Sequence, residues 1–184
     1  MKKIHGFLVF LLCISLASCS QKENDIYLTK GGEYASKEGK FVVSFPVQPI
    51  YSKLKREVDD HVVNVHLHRA VLSSNRIFDL EYINLEDVSL SFSDKELLTS
   101  LAGTVAEDFS GEFVLTENEA FSFKEMNAQK IRFETSKKMK EKGSDYFIKI
   151  HLLINEKRLY VLKYAGIDDK RVDDYFNSFR ILKQ

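Results

Sequence analysis

From residue 40 onward, apolar positions recur at every second residue. Phe41, Val43 and Phe45 alternate with Lys40, Val42 and Ser44, and Pro46 stops the run. Residues 50–58 read as a second strand, Asp59-Asp60 as a turn, and 62–72 as a third strand. In that third strand Val63, Val65 and Leu67 share one face, and Asn64, His66 and His68 share the other. Ser73-Ser74-Asn75 turns the chain into a fourth strand over 77–85, so this stretch is an antiparallel meander. The period then changes. Ser93-Asp94-Lys95-Glu96 has the form of a capping box, followed at helical spacing by Leu97, Leu98, Leu101, Ala102, Val105, Ala106 and Phe109. This predicts a helix over 94–109, ended by Gly111. Strands are predicted over 112–115, 120–123, 129–134, 146–154 and 158–164, with a charged loop at 136–144 and a tight turn at 155–157. Asp168-Asp169 reads as the start of a last helix, whose Val172, Tyr175, Phe176 and Phe179 lie on one face. Two amphipathic helices over six or more mostly antiparallel strands make an α+β layered fold.

Composition supports one folded domain. The 184 residues are 44% hydrophobic and 29% charged, with no Trp, two Pro, 14 Phe and 8 Tyr, an aromatic content that favours strands. Lys+Arg and Asp+Glu both number 27. That balance excludes a chain built to bind nucleic acid, which needs a basic excess.

The N-terminus reads as an address. Met1-Lys2-Lys3 precedes an apolar run from Ile4 to Ala17, too short to span a bilayer comfortably but right for the core of a secretory signal. The run closes on Leu16-Ala17-Ser18-Cys19, which resembles the bacterial lipobox. The resemblance implies cleavage before Cys19 and a diacylglycerol thioether on Cys19. Cys13 would leave with the signal, so no thiol would remain for a disulfide, a Cys-based zinc site or a nucleophile. Gln21-Lys22 followed by acidic residues resembles the surface-export signal of Bacteroidetes lipoproteins, and reads equally well as a plain polar tether. The expected organisation is a signal peptide over 1–18, a lipidated flexible tether over 19–37 and a folded domain over 38–184. The expected place is the bacterial outer membrane, facing the periplasm or the cell surface.

Three segments together resemble the PsbP-like family: Gly39-Lys40-Phe41-Val42-Val43-Ser44-Phe45-Pro46, the middle amphipathic helix, and Tyr175-Phe176-Asn177-Ser178-Phe179-Arg180-Ile181-Leu182. The resemblance covers most of residues 37–184. It implies an α/β/α sandwich around a mostly antiparallel sheet and a binding or assembly role rather than an enzymatic one. It transfers no functional residue.

Candidate chemistry is sparse. His66 and His68, at i and i+2 of one strand, present two imidazoles on the same side, which suits a zinc or copper ion. His151 shares the polar parity of its own strand and becomes a third ligand if the two strands are neighbours; His61 needs a turn to join. The same residues also fit a solvated sheet face or hydrogen-bonded histidines. The run Lys137-Lys138-Met139-Lys140-Glu141-Lys142 fits a solvated loop or contact with anionic headgroups or glycans. Asp168-Asp169 and Asp173-Asp174 lack the spacing and glycine of a calcium loop. No nucleophile elbow, zinc-protease helix, phosphate loop or dinucleotide fingerprint occurs. The expectation is a non-catalytic module, without cofactor unless metal binds the histidines, held on a membrane by its lipid and paired with an unnamed envelope protein. A metal-binding lipoprotein and an envelope hydrolase are the alternatives.

Overall fold

The structure, a computed structural model, describes residues 25–58, 61–87, 92–109, 113–141, 143 and 145–182. The expected signal peptide over 1–18 and Cys19 therefore lie outside the described residues. Among those residues, no helix is long and apolar enough to cross a membrane.

The chain runs β1 (Ile26–Leu28), β2 (Tyr34–Ser36), β3 (Phe41–Val43), β4 (Ile50–Val58), β5 (His61–Ser73), β6 (Arg76–Asn84), α1 (Asp94–Asp108), β7 (Phe113–Phe123), β8 (Met126–Thr135), α2 (Lys137–Lys140), β9 (Phe147–Asn155), β10 (Arg158–Gly166), α3 (Arg171–Ser178) and β11 (Arg180–Ile181). Seven strands form one antiparallel sheet in the order β4-β5-β6-β10-β9-β8-β7. The remaining four form a small sheet in the order β1-β2-β3-β11. The meander β4-β5-β6 is the one the alternation predicts.

Strand parity sorts the side chains into two cores. On one face of the large sheet Val63, Val65, Ile131, Phe133, Ile150 and Leu152 pack under Leu97, Leu101 and Val105 of α1. Ser93 accepts from the Glu96 amide while the Glu96 carboxylate accepts from the Ser93 amide, so the predicted capping box is formed. On the opposite face Phe78, Leu80, Tyr82, Leu153 and Leu162 meet Phe41 and Val43 of the small sheet and Tyr175, Phe176 and Phe179 from the chain's end. The result is an α+β sandwich of three layers. One outer layer is helix α1, and the other is the small sheet together with α3.

Three expectations change. Residues 26–36, expected within the tether over 19–37, carry β1 and β2, so ordered chain begins before residue 38. These strands hide from a periodicity reading because each is only three residues long, too short for an alternation to show, although Ile26, Ala35 and Ser36 are buried and Tyr34 packs on the core. The two short strands expected at 112–115 and 120–123 are one strand, β7, with a bulge between Leu115 and Glu117. β7 is the sheet's edge, so its middle needs no apolar alternation; Lys130 holds Glu117 at 2.6 Å and Glu119 at 3.1 Å. The last helix starts at Arg171, with the Asp169 carboxylate accepting from the Arg171 amide at 2.9 Å.

Candidate functional sites: an enclosed histidine face and an open groove

His66 and His68 do share one face of β5, as the parity predicts. That face is not solvated: it lies between the two sheets, and His66 is 3% and His68 0% exposed. The Tyr51 and Tyr82 hydroxyls both lie 2.9 Å from His66 Nδ1, and the Glu38 carboxylate lies 3.8 Å from the same atom. The His66 ring stacks on Tyr82 with centroids 4.3 Å apart. His68 sits between Phe41 and Tyr51, centroids 5.2 and 5.1 Å away, and neither of its ring nitrogens has a hydrogen-bond partner among the described residues. Burial pushes His68 down to about 4, lowers His66, and pushes the Tyr51 phenol up to about 12. At neutral pH both imidazoles and both phenols are uncharged, with His66 Nδ1 held by the two tyrosine hydroxyls.

His151 is buried elsewhere, against Phe176 at 4.4 Å and Phe121 at 5.1 Å, and burial pushes it down to about 3. The pairings His68↔Leu80, Leu80↔Leu162 and Leu162↔His151 put it three strands from His68 in one cross-strand row. Three strand spacings are about 14 Å, whereas two nitrogens on one zinc ion lie about 4 Å apart or closer. His151 is therefore not the third ligand of a His66–His68 site: the strands are not neighbours. Among the described residues no group of three or more His, Cys, Asp or Glu is placed to hold a metal ion. The side chain of His61 lies outside the described residues.

The charged motifs are held in ion pairs. Asp169 binds Arg171 and Arg76, at 2.8 and 3.2 Å, and Asp173 binds Lys149 at 2.9 Å. Lys140, in the basic run, binds Glu134 at 3.0 Å. On the α1 side of the large sheet, Asp79, 1% exposed, takes two hydrogen bonds from Arg69 at 2.8 and 2.9 Å, and Lys163 lies 3.1 Å away.

What lies open is a groove of about 800 Å³ at one end of the sandwich, lined among others by Lys40, Val42, Lys124, Glu125, Glu156 and Arg180. It continues into a smaller pocket beside Lys157, Arg158 and Tyr160. Among the described residues, strand β11 pairs only with β3 and so borders the groove as a free edge. The four non-glycine residues with left-handed backbone among the described residues are Lys40 (φ 52°), Lys124 (49°), Glu125 (72°) and Glu156 (54°), and all four line this groove. Lys124-Glu125 and Glu156-Lys157 are two-residue hairpin turns, where Asn-Gly or a leading Gly is the usual solution. Each non-glycine residue held in that region costs about 1 kcal/mol, and such strain clusters at binding sites. Lys124 donates to the Asn177 and Phe179 carbonyls, both at 2.8 Å, and Arg180 forms a bidentate pair with Glu33 at 2.5 and 2.6 Å. Lys124 and Arg180 are thus fixed in position by the chain itself.

Comparison with solved structures settles the architecture. The solution structure of cyanobacterial PsbP (CyanoP) from Synechocystis superposes with a TM-score of 0.52, over 90% of this chain and 98% of that one, at 12% identity. The chain has the PsbP-like fold. A protein of unknown function, PA94 from Pseudomonas aeruginosa, matches more loosely, with a TM-score of 0.35 over 62% of this chain and 83% of that one at 8% identity. No protein-family description matches the sequence, and no curated protein matches it. At 12% identity the PsbP-like likeness carries the fold and nothing about activity.

Reading the chain alone misses the groove. Its walls come from four separated stretches, around residues 40, 124, 156 and 180. The available signal was the pair of two-residue turns filled by Lys and Glu instead of Asn and Gly.

Proposed function

We propose that this protein is a lipid-anchored, non-catalytic binding or assembly module of the bacterial envelope. It is held on the outer membrane through Cys19, facing the periplasm or the cell surface, and it grips a protein partner in the groove beside β11. The observation that carries the reading is the convergence of all four left-handed non-glycine residues on one open groove. Strain of that kind persists when it shapes a surface for recognition. The enclosed histidines support the non-catalytic half: they face aromatic rings rather than a cleft that could admit a substrate. The Leu16-Ala17-Ser18-Cys19 sequence supports the anchor.

The test is photo-cross-linking in the native cell, with the probe placed at Lys40 or Glu156 in the groove and, as a control, at Thr99 on the outside of α1. One dominant protein adduct from both groove positions, absent from Thr99, is the expected result. Adducts of equal pattern from all three positions would overturn the reading.

A further inference from the structure

The structured chain begins close to the proposed anchor. Only six residue steps separate Cys19 from Asp25, the first described residue. Whatever their conformation, they reach no further than about 20 Å. A lipid on Cys19 therefore holds the β1 end of the domain within about 20 Å of the headgroups, close enough for its surface to meet them.

That surface has the composition the contact needs. β1 buries Ile26 but leaves Tyr27 42% and Leu28 61% exposed. Successive strand residues point to opposite sides, so Tyr27 and Leu28 leave apolar surface open on both sides of β1. The turn of the β1–β2 hairpin carries exposed Lys30, Gly31 and Gly32, and Lys37 Nζ lies 5.9 Å over the Tyr27 ring. A tyrosine with an apolar ring and a polar tip, a leucine, and lysines with long apolar stems suit the membrane–water interface. Among the described residues, β1 pairs only with β2. Its open edge would be costly in hydrocarbon, which limits the hairpin to the headgroup level. Exposed Ile50, Val71 and Leu115 point from the other face of the large sheet, the side of α1, and cannot reach the same plane.

The geometry points to the β1–β2 hairpin as a lipid-docking element that seats Tyr27 and Leu28 in the bilayer interface beside the anchor. This inference rests on the reading of Cys19 as lipidated. Docking orients the domain on the membrane instead of leaving it to swing.

The mature full-length protein, purified from its membrane and reconstituted in phosphatidylethanolamine–phosphatidylglycerol vesicles, provides the test. Its intact mass reports the lipid on Cys19. An environment-sensitive fluorophore is placed on Leu28→Cys, on Lys30→Cys as a second position, and on Leu115→Cys as the control. The expected result is a lipid-bearing mass, several-fold stronger quenching of the 28 and 30 labels than of the 115 label by nitroxide lipids, and the reverse order with iodide. A lipid-bearing mass with all three labels equally open to iodide would overturn docking and leave the anchor standing. A mass without lipid would overturn the anchor and the docking with it.

Discussion

His68 and His151 occupy one cross-strand row of the seven-stranded sheet, linked through Leu80 and Leu162, and both are buried without charge. Their burial makes stability depend on pH. The unfolded chain protonates His68 below about 6.5 and the folded chain only below about 4. For His151 the folded value is about 3. The unfolded state therefore binds more protons across this window, so stability is full above it and falls as pH drops through it. At about 1.4 kcal/mol per pH unit, His68 alone contributes a loss of about 3 kcal/mol. His68→Phe keeps an aromatic ring in the space between Phe41 and Tyr51 and removes an unpaired N–H. Urea denaturation at pH 7 should find the variant at least as stable as the parent, by up to about 1 kcal/mol. Between pH 6.5 and 4 its loss of stability should be clearly smaller than the parent's. An unchanged pH slope would show that the ring is not buried as described.

The Asp79 cluster is a second buried liability. Asp79→Asn keeps the shape but removes the carboxylate that pairs with both Arg69 and Lys163. Breaking a buried pair in this way costs about 3 kcal/mol. For a chain of this length that is a fall in Tm of about 6–12 °C. Adding Lys163→Met to Asp79→Asn should recover part of the loss. Calorimetry on the two single variants and the double variant checks this, and strictly additive losses would contradict the coupling.

Turn residues on either side bounded β6 and β10, which are buried on both faces over most of their length and show little alternation. Side chains that alternate or recur between a wet and a dry side made β8 and α1 legible in the sequence. The His66–His68 parity was legible for the same reason. Whether their face was wet was not. It is dry because a second layer, assembled from β1–β3 near residue 26 and β11 near residue 180, closes over it. That closure depends on contacts across almost the whole chain, and periodicity reports only on neighbours. β7 escaped for the opposite reason, since an edge strand needs no dry side.

Glu125 tests whether the groove stores strain. At φ 72° it occupies a backbone region that glycine enters freely. Glu125→Gly should raise stability by about 1 kcal/mol, or about 2–4 °C in Tm. Glu119→Gly, inside the adjoining strand β7 and without a left-handed backbone, should lower it. If the groove is the binding site, Glu125→Gly should also weaken partner cross-linking from Lys40 while raising Tm. A variant that gains neither stability nor changes capture would remove the argument from strain.

Lys124 ties the groove to the chain's end. Its ammonium donates to the Asn177 and Phe179 carbonyls as α3 ends and β11 begins. β11 is otherwise held by two pairings with β3, Arg180↔Val42 and Ile181↔Phe41, and by the Leu182 amide donating to the Lys40 carbonyl at 2.9 Å. Lys124→Met keeps the apolar stem and deletes both donors. Phe179 stays buried against Phe41, Tyr160 and Phe123, so the global cost should be small, about 1 kcal/mol. The local effect should be larger: amide hydrogen exchange at residues 180–182 should speed up by about tenfold while α1 and β10 keep their protection. Because these residues form the groove's free edge, the same variant should lose partner capture out of proportion to its stability. Unchanged exchange at 180–182 would mean that β3 and the Arg180–Glu33 pair fix the edge without Lys124, and the groove's shape would then not depend on Lys124.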